Sequence, residues 1–262
     1  MVIWDFDGAI GQLNSSLPYN FNFRNLQREI DNVRAALDVM QKFSICSTFA
    51  VTGFTAETGL HPYTCPDLIH EIALLGHEVA SHSWRHEWLP LFTRQQAKRS
   101  LARSRSTLKN VTGGEIYGFV PPHNRPMTWW RKGAFSLGDR GVYPFFPLAD
   151  MGAVIGLCLE AGYRWIRISY KPMWGHIADL TGRVLRHGDM LVLENHYVGF
   201  DKRVQNHILN SPKKYHIVSA HPLMLDFPDK TEHMSNFCEF LQVLTSAGVH
   251  FTTPGSLQSE ER

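Results

Sequence analysis

The chain is short of cysteine, of long apolar runs and of excess charge, and each shortage removes a class of protein. Four cysteines in 262 residues, Cys46, Cys65, Cys158 and Cys238, stand far apart. With no close pair to make a zinc finger or a redox dithiol, they read as mostly buried thiols of a reducing compartment. The longest apolar stretches, such as MGAVIGLCLEAG, are too short to span a bilayer. No export signal precedes the first strand-like run, so a cytoplasmic protein without a membrane span is the expectation. A formal net charge of +2 is far from the concentrated basic surface of a dedicated nucleic-acid binder. The one basic stretch of note, RQQAKRSLARSRSTLK, reads as a solvated helix face. Repeats and low-complexity segments are absent, and no composition shift marks a domain boundary.

What is present is an ordinary globular composition, 44% hydrophobic and 19% charged, in which strand-like and helix-like segments alternate from end to end. That alternation predicts an α/β protein with a mainly parallel sheet, a single domain using the whole of residues 1–262. Within FRNLQREIDNVRAALDVMQKF, Ile30, Val33, Leu37 and Met40 recur at three- and four-residue spacing and mark an amphipathic helix. STFAV, HEVAS, EIYGFVPP, YRWIRIS, DMLVLENH, KYHIVSAHP and VHFTTP read as strands. PDLIHEIALLG, residues 93–110, LADMGAVIGLCLEAG and MSNFCEFLQVLTSAG read as helices. A segment around residues 124–147, rich in aromatics, glycine and proline, reads as a loop insertion.

Two clusters carry chemistry. The first strand ends in WDFDGAI, with carboxylates at Asp5 and Asp7. GHEVASHSWRHEWL delivers His82 and His86 four residues apart, a spacing that lets two imidazoles grip one ion if the stretch turns helically. Fourteen histidines make chance pairs common, so the pair gains weight only from the carboxylates at another strand end. The carboxyl ends of strands are where α/β sheets assemble their sites. Two histidines and one carboxylate leave positions open for water and substrate, and a second carboxylate nearby supplies a base: a hydrolytic site in outline.

Taken together, these stretches resemble the polysaccharide deacetylases, carbohydrate esterase family 4. IWDFDG is similar to that family's first motif, in a spaced Asp-x-Asp form, and GHEVASHSWRHEWL to its His-[Ser/Thr]-x-x-His motif. The resemblance implies a distorted (β/α)7-type barrel, Asp5 as catalytic base, and Asp7, His82 and His86 as ligands of a divalent metal, zinc first. FVPPHNRP aligns with the motif Phe-Arg-x-Pro-[Tyr/Phe], but Val120 stands where the family has the arginine that supports the base. Arg125 is the candidate replacement from a few residues away, and the backbone amide of His123 the candidate oxyanion donor. A rigid turn is the plain alternative for VPPHNRP. The general acid should be a histidine at the end of a late strand: His221 by its place in the chain, His196 as the rival. The family's tryptophan-containing motif is poorly matched, and Trp174 reads as a core or rim aromatic.

The implied activity is metal-dependent hydrolysis of an N-acetyl group on a sugar, in surface polysaccharide or lipopolysaccharide synthesis. Trp129, Trp130, Tyr143 and Phe145 could stack on sugar faces, although packing of an extra loop explains them as well. Hydrolysis of another C–N amide bond and glycan binding by an impaired homologue are alternatives. WDFDG also resembles the start of haloacid dehalogenase-type phosphotransferases. Those need a hydroxyl where Ala9 stands, and the histidines would then have no role. An iron oxygenase triad would place its carboxylate near one histidine, whereas Asp7 lies far upstream. The sequence assigns no oligomeric state.

Overall fold

A computed structural model describes residues 1–15, 22–89, 92–123, 127–128, 149–168 and 185–260. Strand β1 (Val2–Phe6) is buried at every position, because a parallel strand between two covered faces has no solvent side. It pairs in parallel with β2 (Thr48–Val51) on one side and with β11 (Val218–Ala220) on the other. Beyond β2 follow β3 (Glu78–Ser81), β4 (Gly118–Phe119), β7 (Trp165–Ile168), β9 (Met190–Glu194) and β8 (Leu185–His187), and β10 (Tyr197–Val198) flanks β11. Among the described residues this is a nine-stranded sheet, parallel except between β8 and β9, and curled into a half-barrel of the distorted (β/α)7 type. Strands β5 (Met127–Thr128) and β6 (Ala149–Asp150) form a separate pair.

Among the described residues the helices are α1 (Gly8–Ser15), α2 (Phe23–Lys42), α3 (Pro66–Leu74), α4 (Arg94–Thr112), α5 (Met151–Glu160), α6 (Lys202–Asn210), α7 (Met234–Ser246) and α8 (Pro254–Glu260). Local chemistry explains their limits. The Asn22 side chain accepts the Arg24 N–H at the start of α2, and Thr93 and Gln96 form a reciprocal capping box on α4. Gly113, at a φ of 72°, ends α4 in the left-handed conformation.

Side-chain alternation divides the core in two. Val2, Trp4 and Phe6 face the helices, with Trp4 against Phe49, Phe200 and Phe237. Ile3, Ala50, Ala80, Val120, Trp165, Leu191, Leu193 and Ile217 form a second cluster on the concave face. At period two, Asp5 shares that face with Ile3, and Arg167 shares it with Trp165, so both charges rise above the apolar interior of the half-barrel.

Two expectations differ from the structure. VHFTTP forms no strand: residues 249–253 run without regular structure into α8, where the Glu78 carboxylate accepts the Gly255 N–H at 3.0 Å. The SHSWRH stretch is not helical; it is a turn with left-handed φ at Ser83 (63°) and His86 (59°). All four cysteines are free, with Cys65 and Cys158 buried, Cys238 half-buried and Cys46 exposed. No described helix is long and apolar enough to cross a membrane. Nearly all of the aromatic segment, including Trp129, Trp130, Tyr143 and Phe145, lies outside the described residues, as do Trp174 and Arg125.

Candidate active site

The carboxyl end of β1 is pulled into two different environments. Asp5, still in the strand, is 7% exposed. Arg167 donates to both of its oxygens, Nη1 to Oδ1 at 2.8 Å and Nη2 to Oδ2 at 2.6 Å. Burial alone would raise the Asp5 pKa, but the Arg167 guanidinium, with His82 and His221, outweighs it and holds the carboxyl below the usual aspartate range. Asp5 is therefore a carboxylate across the neutral range.

Asp7 leads into α1 instead. Gly8 follows it at a φ of +63°, and a Cβ there would stand 2.1 Å from Thr55 Oγ1, so only glycine lets the chain turn this tightly against the β2 loop. Thr52 Oγ1 donates to the Asp7 carbonyl at 2.9 Å. The side chain points at two imidazoles, with Oδ1 at 3.5 Å from His82 Nε2 and 3.4 Å from His86 Nε2. Burial raises the Asp7 pKa, an effect that a bound cation would reverse.

Each histidine is aimed by its surroundings. His82 directly follows β3, and its Nδ1 lies 2.7 Å from the Val120 carbonyl. A carbonyl only accepts, so Nδ1 carries the proton and the Nε2 lone pair faces Asp7. His86 is delivered by the turn, which the backbone after β2 clamps: Gly53 N–H donates to the Ser83 carbonyl and Phe54 N–H to the Trp84 carbonyl, both at 2.8 Å. The His82 and His86 rings lie 4.8 Å apart, and His123, with a φ of 48°, packs its ring 4.4 Å from His86.

One ligand atom from each of Asp7, His82 and His86 lies within 4.8 Å of the other two. Asp7 Oδ1 is buried and accepts no hydrogen bond. A buried carboxylate oxygen left in this state is costly unless a cation meets it, and a two-histidine, one-carboxylate set is a donor set that zinc accepts. These residues can hold a divalent metal.

His221, directly after β11, faces Asp5 from the other side, with Nε2 at 3.9 Å from Asp5 Oδ2. Its Nδ1 lies 3.5 Å from Glu232 Oε1. Burial works against its charged form, but Glu232, Asp5 and Asp7 outweigh that and push the His221 pKa up to about 9. His196 has other business: its Nδ1 accepts the Ile217 N–H at 3.0 Å, and its ring lies among Tyr197, Tyr215 and His216.

Three contributors were not foreseen. Arg167 occupies the place that the sequence left open at Val120. β4 pairs with β7 at Phe119 and Ile166, and Val120 and Arg167 are the next residues along these neighbouring strands. The guanidinium thus reaches Asp5 from one strand over, and its signal was the second of two arginines in YRWIRIS, the one set between Ile166 and Ile168. Glu29, buried in α2, accepts the N–H groups of Asp7 and Gly8 at 3.2 and 3.1 Å. Its pKa is pushed up to about 8 by burial and by the charge of Asp7. Its signal was an acid beside Leu26, Ile30 and Val33 on the apolar side of a helix. Glu232, in an irregular segment, carried no signal.

The comparisons with known proteins agree with this architecture. Residues 28–138 match the family model described as polysaccharide deacetylase. Over that stretch the chain is similar to the polysaccharide deacetylases. A crystal structure from Mycobacterium smegmatis, assigned to the polysaccharide deacetylases, superposes with a TM-score of 0.67 at 17% identity, covering 99% of this chain and 88% of that one. A carbohydrate esterase family 4 pseudoenzyme from Bacillus anthracis superposes with a TM-score of 0.56 at 11% identity, covering 98% of this chain and 64% of that one. At such identities these likenesses speak for the fold. An uncharacterised 30.6 kDa protein of Geobacillus stearothermophilus is 33% identical over 86 residues, a match that spans 33% of this chain and 30% of that protein.

Proposed function

We propose that this protein hydrolyses an N-acyl group, acetyl in the first instance, from an amino sugar, with a divalent metal, zinc first, held by Asp7, His82 and His86. The observation that carries the reading is the division of labour between Asp5 and Asp7. One is held ionised by a guanidinium, and the other is aimed with two imidazoles at a common point. When bound, the ion supplies a Lewis acid for the acyl oxygen and lowers the pKa of water.

The chain's own residues do the rest. Asp5 removes a proton from the attacking water, and Arg167 orients both of its oxygens for that task. The His123 N–H is the donor assigned to the oxygen that becomes negative. His221, protonated across the neutral range beside Glu232, gives its proton to the nitrogen as the C–N bond breaks. Water and amide become acetate and amine, with the proton inventory balanced between Asp5 and His221. The likeness of residues 28–138 to polysaccharide deacetylases suggests the substrate class, and an acetylated sugar intermediate of surface polysaccharide or lipopolysaccharide synthesis is the candidate.

Acetate release from a panel of N-acetylated sugars, with and without added zinc and after chelation, tests the reading. Metal-dependent release supports it. Sugar binding with no release would favour a glycan-binding pseudoenzyme, the reading prompted by Val120 and by the likeness to the Bacillus anthracis pseudoenzyme. Release of a carboxylic acid only from amides that are not sugars would move the substrate and leave the chemistry.

A further inference from the structure

The geometry points to the buried polar face of α2 as a brace that positions both working ends of the site, the metal ligand through Glu29 and the acid histidine through Asn32. This deepens the hydrolase reading and rests on it. On a helix whose inner face is Leu26, Ile30, Val33, Leu37 and Met40, two polar side chains are nearly fully buried, Glu29 at 1% exposure and Asn32 at 5%. Apolar residues there would have supplied more burial energy, and a buried polar group is tolerated only where partners meet it. Both have partners, and all are at the site.

Glu29 divides its oxygens between two backbone donors, Oε1 for the Asp7 N–H and Oε2 for the Gly8 N–H, and Gln12 Nε2 adds a third bond to Oε2 at 2.8 Å. Those two amides open α1 and have no partner within it, so a carboxyl group from another helix completes the turn. The effect is to fix the backbone from which the Asp7 side chain departs. One turn further along α2, Asn32 Nδ2 donates to the Pro222 carbonyl at 2.9 Å, one residue after His221. Residues three apart on a helix share a face and are separated by about 4.5 Å along its axis. A single rigid turn therefore sets the spacing between the Asp7 loop and the His221 strand end. Arg28 reinforces the second contact from the surface with a 3.2 Å ion pair to Asp226.

The brace predicts two separable defects. Glu29→Gln should weaken zinc binding to the metal-free protein about tenfold or more, the usual cost of losing a group that orients a ligand. Asn32→Leu should leave zinc affinity within about twofold and lower kcat about tenfold at unchanged KM, measured on the panel sugar with the fastest acetate release, because only the acid end moves. Val33→Ala, a nearby apolar truncation, should lower the melting temperature yet spare zinc affinity and kcat. Should Glu29→Gln fail to fold, Glu29→Asp, which keeps the carboxyl group but withdraws its oxygens by one methylene, carries the same expectation. Wild-type zinc affinity in the Glu29 variant, wild-type kcat in Asn32→Leu, or both losses reproduced by Val33→Ala would overturn the brace alone. Failure of the unaltered protein to bind zinc or to release acetate would overturn the hydrolase reading and the brace with it.

Discussion

Asp5 and Asp7 leave the same strand two residues apart, and they enter opposite halves of the site. Both are withdrawn from water, and burial by itself would push both carboxyl groups toward the neutral acid. On the Asp5 side the partner is a permanent cation, and the pKa falls. On the Asp7 side the neighbours are imidazoles with a fixed tautomer at His82, and the pKa rises. The sign of a buried carboxylate's shift is thus decided by what faces it more than by how deeply it lies. A base needs the first environment, and a metal ligand is at home in the second.

The largest expected effect breaks the Asp7 half outright. His82→Ala or His86→Ala removes one of three donors, so stoichiometric metal should be lost while the fold survives, as elemental analysis and circular dichroism would show. A variant that keeps its full metal content removes that residue from the ligand set. The matching change in the other half is Asp5→Asn, which should keep the metal and lower turnover by about 10²- to 10⁴-fold. Near-normal turnover would take Asp5 out of the proton-transfer role.

Third in size is Arg167→Met, which tests whether the guanidinium is what separates the two halves. It leaves a buried carboxylate without its partner, and breaking such a pair costs about 3–5 kcal/mol. The pH dependence gives the sign. A carboxyl with a lowered folded pKa contributes stability that is present above its unfolded pKa and lost as pH falls through the folded value. The stability gap between wild type and Arg167→Met in chemical denaturation should therefore be widest at neutral pH and narrow on acidification. A gap that is constant with pH would mean that Arg167 acts by packing alone.

The two halves were also unequally legible in the sequence. Asp7, His82 and His86 sit in short motifs, because loops directly after β1 and β3 carry them and those strands have only β2 between them. The alternation of elements likewise exposed the parallel sheet, since buried strands and amphipathic helices have different periods. The supports of the Asp5 half come from distant places. Arg167 is 162 residues from Asp5 and meets it only because β7 lies beside β4 across the curled sheet. Sequence proximity suggested Arg125 for that task, whereas strand pairing supplied Arg167. VHFTTP shows the same limit: its composition suits a strand, but a strand exists only where a neighbour offers a ladder.

The smallest expected effect sharpens the comparison at the acid. His221 stands between Asp5 and Glu232 with a 40% exposed side chain, so water screens its charge more than that of Asp5, whose side chain is 9% exposed. Burial lowers its pKa, and the hydrogen bond from Nδ1 to Glu232 is foremost among the effects that outweigh this and bring it to about 9. The stability this contributes is full below the unfolded histidine pKa and fades as pH rises through the folded value, opposite in sense to Asp5. Only the protonated imidazole can give a proton to the leaving nitrogen. Glu232→Gln removes a charge yet keeps a hydrogen-bonding side chain, so the alkaline limb of the pH–rate profile should move to lower pH while the acid limb, set by Asp5, stays in place. Movement of the acid limb instead would show that Glu232 works on Asp5, and the independence of the two halves would fail there.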